Sequence, residues 1–168
     1  MTVVSGAYPV FRYKQTKALF RGLDLDLTWD IASQWSYHMI SSFIWANESA
    51  THNYLPYIPA PKLDHSLTWR LPWRLKGESP YITVHHRFVA KQTRFDPRTD
   101  LIPYSPPSYH LLGIEAGCQW QLPHQSKVKV LIAADNLLNK QYKEYTNRSR
   151  YYAHDMGRDV RVAINWIF

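Results

Sequence analysis

The 168-residue sequence predicts an all-β chain, an antiparallel up-and-down sheet of the kind that crosses a membrane as part of a β-barrel. Three observations carry this prediction. Apolar and polar residues alternate with period two in stretch after stretch, the connections alternate between short and long, and aromatic residues gather beside the short ones. A strand turns successive side chains to opposite faces, so this alternation gives each segment one apolar and one polar face. Helical spacing fits none of these stretches.

The first confident strand is expected over 22–30, where Leu23, Leu25, Leu27 and Trp29 oppose Gly22, Asp24, Asp26 and Thr28. The second, over 34–46, sets Trp35, Tyr37, Met39, Phe43 and Trp45 on one face, while Ile40 and Ile44 make its other face less polar. Over 62–73, Leu63, His65, Leu67, Trp69, Leu71 and Trp73 alternate with Lys62, Asp64, Ser66, Thr68 and Arg70. Ile82, Val84, His86, Phe88 and Ala90 share one face of a strand over 81–91. Leu112, Ile114, Ala116, Cys118 and Trp120 lie opposite Leu111, Gly113, Glu115, Gly117 and Gln119. Val128, Val130, Ile132 and Ala134 alternate with Lys129, Leu131, Ala133 and Asp135. At the end, Val160, Val162, Ile164, Trp166 and Phe168 alternate with Asp159, Arg161, Ala163, Asn165 and Ile167. Residues 8–14 are a candidate eighth strand, short and interrupted by Pro9.

Short connections fall near 30–33, 75–79 and 121–125, and long ones near 47–61, 92–107 and 137–157. Tight turns on one side and long loops on the other are the plan of an outer-membrane barrel, and a soluble sandwich has no reason to sort its loops this way. Pro56, Pro59, Pro61, Pro97, Pro103, Pro106 and Pro107 all fall in the long connections, where they disturb no hydrogen-bond ladder. Trp29, Trp35, Trp73, Tyr81 and Trp120 flank the short turns, and Trp166 and Phe168 close the chain at the same level. Amphipathic aromatics favour the membrane–water boundary, so these residues read as an interfacial girdle. In a soluble barrel the same aromatics would cap an apolar interior. In a membrane barrel the apolar face is outside and the polar face lines a wet lumen.

Composition narrows the function classes. Twelve Tyr, seven Trp and six Phe are too many bulky apolar groups for a disordered chain. The lone Cys118 excludes an internal disulfide and cysteine-pair zinc sites, and no apolar run is long enough for a transmembrane helix. Residues 1–10 carry no basic segment followed by an apolar one, so no secretory signal is expected there. The net charge of +7 is scattered rather than clustered, which disfavours nucleic acid as a partner. A mean hydropathy of −0.41 fits polar lumen faces and long loops diluting a lipid-facing stripe.

The last third carries a recognisable pattern. Asp135-Asn136-Leu137-Leu138-Asn139-Lys140-Gln141-Tyr142, followed by Tyr145, Asn147-Arg148, Tyr151-Tyr152, Gly157-Arg158 and a strand ending in Phe168, resembles the end of TonB-dependent outer-membrane receptors. Phe11 to Ala18 leading to Gly22-Leu23-Asp24-Leu25 resembles the "Y-x-Q-T-x-A…G-x-E" approach to a barrel strand in the same family, with Asp24 where Glu is usual. The resemblance runs in family order over residues 8–168. It implies that residues 1–168 are the C-terminal part of a barrel of about 22 strands, with the family's N-terminal plug domain not among them. It further implies an outer-membrane location in a Gram-negative bacterium, short turns facing the periplasm and long loops outside. The implied partners are outer-membrane lipid, the TonB energy-transducing complex (through the plug), the barrel-assembly machinery that reads the terminal Phe168, and a scarce nutrient, most simply a ferric siderophore or haem. Such a fragment leaves two strand edges unpaired in lipid and is not expected to transport by itself.

No catalytic constellation, resident cofactor or metal site is expected. Asp24 and Asp26 share a strand face as lumen-wall residues rather than an acid/base pair, and no phosphate loop or nucleophile elbow is present. Adjacent His85 and His86 face opposite sides, and no histidines pair at helical ligand spacing. The long connections are the candidate binding surface: His52, Tyr54 and Tyr57 in the first, Arg94, Arg98 and Tyr104 in the second with His110 beside it, and Arg148, Arg150, Tyr151, Tyr152 and His154 in the third. Cations and aromatics together suit an anionic aromatic ligand. The same residues can instead serve to fold the loops onto the barrel. Two other architectures stay open at this point, a complete eight-stranded outer-membrane barrel and a soluble β-barrel that binds an apolar ligand inside.

Overall fold

The computed structural model of the chain describes residues 15–73, 79–123 and 126–168. The candidate strand at 8–14, most of the short connection at 75–79 and His124 lie outside the described residues. Seven strands follow one another: β1 (Ala18–Ala32), β2 (Trp35–Glu48), β3 (Lys62–Arg70), β4 (Tyr81–Val89), β5 (Tyr109–Gln121), β6 (Lys127–Asp135) and β7 (Asp159–Ile167). They form one sheet in which each strand pairs antiparallel with its sequence neighbours, in the order β1-β2-β3-β4-β5-β6-β7. Among the described residues two 3-10 turns interrupt the loops, at Pro97–Thr99 and Arg148–Tyr151.

Register places the two faces. Directly paired residues point the same way, so Leu25 with Ser41 and Leu63, then Phe88 and His110, lie on one side of β1 to β5. The same side carries Ile114, Ala134 and Val160 across β5, β6 and β7. This is the apolar face, and it is uncovered: Leu23 is 69% exposed, Val162 64% and Ile164 68%. A soluble barrel would enclose such residues. The opposite face presents Asp26, His38, Asp64, His85, Arg87, Asp135 and Arg161 around a hollow of about 800 Å³ that reaches from β2 to β7, so the polar face is the concave one. Apolar outside and polar inside is the arrangement of a membrane barrel wall.

Dimensions agree. Trp35 and Trp45 stand ten residues apart on the apolar face of β2. Ten residues span about 33 Å along a strand, and the usual barrel tilt reduces this to a height of roughly 25 Å, the height of the apolar band of an outer-membrane barrel. The two tryptophans therefore stand about one such band apart. Among the described residues β1 and β7 pair on one side only, so the seven described strands form an open sheet; the eight-stranded closure would run through residues 8–14, which lie outside the described residues.

The third strand stops at Arg70, earlier than the alternation to Trp73 implies: Leu71 still donates its N–H to the Pro80 carbonyl, but Pro80 has no N–H to return and the ladder ends there. What compact core there is lies at the loop end, where Ala60, Val89 and Tyr109 pack together with Leu111 and Tyr142. The three long connections, L1 (residues 49–61), L2 (90–108) and L3 (136–158), converge above it.

Candidate binding face and loop cap

The L3 motif folds its own base. Asn136 and Asn139 adopt left-handed backbone angles, φ 48° and 50°, which Asn tolerates better than most residues. The buried Asn136 side chain accepts from Lys140 N (2.8 Å) and donates to the carbonyls of Lys140 (2.9 Å) and Met156 (3.4 Å). Asn139 Oδ1 accepts from Arg158 N at 3.0 Å and stands where a β-carbon on Gly157 would lie within 2.8 Å of it. Asp155 accepts from Glu144 N and from Asn147 Nδ2, each at 2.6 Å. The residues of the recognisable pattern thus hold the loop down on β6 and β7.

Above this base the three loops are tied together. Arg150, 2% exposed, forms an ion pair with the equally buried Asp100 of L2. Its guanidinium also lies over the rings of Tyr145 (4.8 Å) and Tyr151 (4.6 Å). The Tyr151 hydroxyl donates to Asp100 Oδ1 at 2.6 Å and sits 3.1 Å from the Tyr57 hydroxyl of L1. Arg148 covers the Tyr57 ring at 4.9 Å. Four expected binding residues, Tyr57, Arg148, Arg150 and Tyr151, therefore meet one another. Burial first, then the bonds to Asp100 and Tyr57, push the Tyr151 phenol above the ordinary tyrosine range. A raised folded value means the stabilisation is complete below the unfolded pKa of about 10 and is lost as pH climbs through the folded one. An absorbance titration of the protein minus that of Tyr151→Phe should show one phenol ionising late, and a difference midpoint near the ordinary value would sink this assignment.

The remaining loop residues are more open. Asp96 caps the Pro97–Thr99 turn by accepting from Arg98 N, and the Arg98 guanidinium donates to it at 2.7–3.2 Å, holding that carboxyl down at about 2. Tyr104 and His154 line a cleft of about 360 Å³ between L2 and L3 with Lys140, Lys143, Tyr142 and Arg150. Tyr152 is 81% exposed beside it. His52 (φ 58°) and Tyr54 shape the tip of L1, where His52 N donates to the Glu48 carbonyl and Asn47 bridges to Tyr54. Arg94 leaves the loop cluster altogether: it lies over Phe43 (4.4 Å) and Trp45 (5.2 Å) on the apolar face.

The concave face beneath the cap is charged in alternation. His38 meets Asp26 at 2.8 Å, Arg87 meets Asp64 at 2.5 Å, and His85 reaches Asp135 at 2.9 Å across an intervening strand, with Arg161 binding the other Asp135 oxygen. Gly113 makes the His85 contact possible, since a β-carbon there would fall 1.9 Å from His85 Nε2. Gly113→Ala should displace the imidazole and lose about 1 kcal/mol of a charge-assisted bond at this half-exposed site. Adding His85→Ala should then cost nothing more, and a double-mutant cycle with fully additive losses would count against the clash.

The apolar face carries Trp29, Trp35, Trp120 and Trp166 near the short turns, with Trp73 exposed and Phe168 at 99%. Trp69, not expected in the girdle, stacks on Trp35 at 5.6 Å. Tyr81 is a correction: it shares the polar face with Gly117 and bonds Glu115 Oε1 at 2.7 Å, because the residue preceding outward Ile82 must point inward. His110, expected beside the second long connection, is the second residue of β5 and points outward. There it completes a row: His65 Nε2 is 2.8 Å from His86 Nδ1, and His86 Nε2 is 3.0 Å from His110 Nδ1. No cluster of three or more His, Cys, Asp or Glu suited to a metal ion occurs among the described residues.

Fold and faces together define an up-and-down β-barrel segment: strands joined next to next, one face apolar and exposed, the other polar and concave, with long loops tied over one end. Among solved structures the chain resembles the copper transporter OprC, with a TM-score of 0.70 and 18% identity over 89% of this chain. The chain spans 23% of that protein's length. The sequence matches no protein-family model and no curated protein.

Proposed function

We propose that this chain is part of the barrel wall of an outer-membrane receptor of the TonB-dependent kind, which takes up a scarce nutrient as a metal complex. The observation that carries the reading is the polarised sheet with its three loops laced over the mouth of a charged concave face. The likeness to a copper transporter supports a transport role and a metal-containing cargo. A ferric siderophore or haem is the cargo favoured by the cleft between L2 and L3, where Lys140, Lys143, His154, Tyr104 and Tyr142 offer cations and aromatic faces to an anionic ring system. In this reading Tyr104, Tyr152 and His154 touch the ligand, while Tyr57, Arg148, Arg150 and Tyr151 hold the loops that present them. Coupling to the TonB complex runs through a plug, and Phe168 serves recognition by the assembly machinery. Transport catalyses no reaction.

The test is uptake by cells that carry or lack the intact protein, using labelled ferric siderophore, haem and copper separately. One of these should fall to background on deletion and on collapse of the proton-motive force. Unchanged uptake of all three, or recovery of the protein as a detergent-free soluble monomer, would sink the proposal.

A further inference from the structure

A second basic site lies on the other side of the wall. On the apolar face of β1 and β2, Arg21 pairs directly with Trp45, the tryptophan at the loop-side end of the apolar band. Arg94 arrives from L2 and its guanidinium lies over the same indole and over Phe43, donating to the Ile44 carbonyl at 3.5 Å. Arg21 and Trp45 thus stand side by side with Arg94 over the indole, and neither arginine meets a carboxylate among the described residues. Beside them a cleft of about 340 Å³ is lined by Arg21, Trp45, Asn47, His52 and Leu19. Cation, amide and imidazole are the donors a phosphate oxygen accepts from, and Leu19 with Trp45 supplies the apolar floor for an acyl chain.

We infer that Arg21 and Arg94 form a binding site for the phosphate headgroup of an outer-leaflet glycolipid, seated on Trp45 at the loop-side boundary of the membrane. The inference rests on the membrane-spanning reading above but not on the cargo, since the site faces away from the lumen. A basic residue near an anionic membrane surface contributes about 1 kcal/mol, so removing both should weaken lipid retention about 30-fold.

The experiment extracts the intact protein in mild detergent and counts bound lipid by native mass spectrometry. The wild-type protein should retain a bis-phosphorylated glycolipid, the Arg21→Gln/Arg94→Gln variant should lose it, and Arg21→Lys/Arg94→Lys should keep most of it. On the wild-type protein alone, the enzymatically dephosphorylated glycolipid should bind as weakly as the original lipid binds the double Gln variant, a comparison that needs no variant to fold. Equal retention by the double Gln variant in the membrane fraction, equal binding of the dephosphorylated lipid, or displacement by millimolar inorganic phosphate overturns the lipid site and leaves the membrane reading standing. A wild-type protein absent from the membrane fraction overturns both.

Discussion

Asp100→Ala should release all three long loops at once. The substitution leaves Arg150 buried at 2% exposure with no carboxylate, and its Nε already lacks a partner among the described residues. Breaking a buried ion pair on one side costs about 3–5 kcal/mol. Tyr151 loses its acceptor in the same step, and with it the link that reaches Tyr57. Because these bonds join loops rather than strands, the loss should be local, raising the open population of L1, L2 and L3 by two to three orders of magnitude. Limited proteolysis of the membrane-embedded protein reads this directly: cleavage within 49–61, 90–108 and 136–158 should accelerate together, while the strands stay protected. Acceleration of L2 alone would show that the loops are not coupled through Asp100.

The second large effect tests which face meets lipid. Ile114 stands on the apolar face of β5, six residues from the girdle residue Trp120, and is 38% exposed. Six residues along a tilted strand rise about 15 Å, close to the middle of the apolar band, where an arginine costs about 2–4 kcal/mol. Ile114→Arg should therefore lower the unfolding free energy in lipid vesicles by that amount. Ser66→Arg, on the concave face, should shift it by less than about 1 kcal/mol, because its new charge reaches the aqueous hollow. Equal penalties at both positions would mean that the sheet does not separate lipid from water.

Much of this architecture is legible in the residues. Strand alternation needs only neighbours two apart, so Leu23 to Trp29 or Val160 to Trp166 declare their face unaided, and the sorting of connections follows from counting between strands. The loop knot is different. Asp100 and Arg150 are 50 positions apart and Tyr57 and Tyr151 are 94, and no local pattern distinguishes a cation that binds a ligand from one that closes a loop. Tyr81 shows the opposite failure, since its nearness to a turn outweighed a parity with Ile82 that already pointed it inward. The Arg94 position on Phe43 and Trp45 and the histidine row both depend on which residues come side by side once strands and loops are in place. That alignment is a property of the whole sheet.

The histidine row has a consequence of its own. A neutral imidazole carries one hydrogen, so each ring can donate through one nitrogen only while accepting through the other. If His65 donates to His86, then His86 must donate to His110; if His110 donates first, every bond runs the opposite way. No single ring can reverse without breaking a bond, so the three tautomers form one two-valued element whose sense is fixed by its ends. A proton delivered at one end and released at the other would reverse all three rings together. The row is thus a hydrogen-bonded wire along the outer face of the sheet, with one direction shared by all three rings.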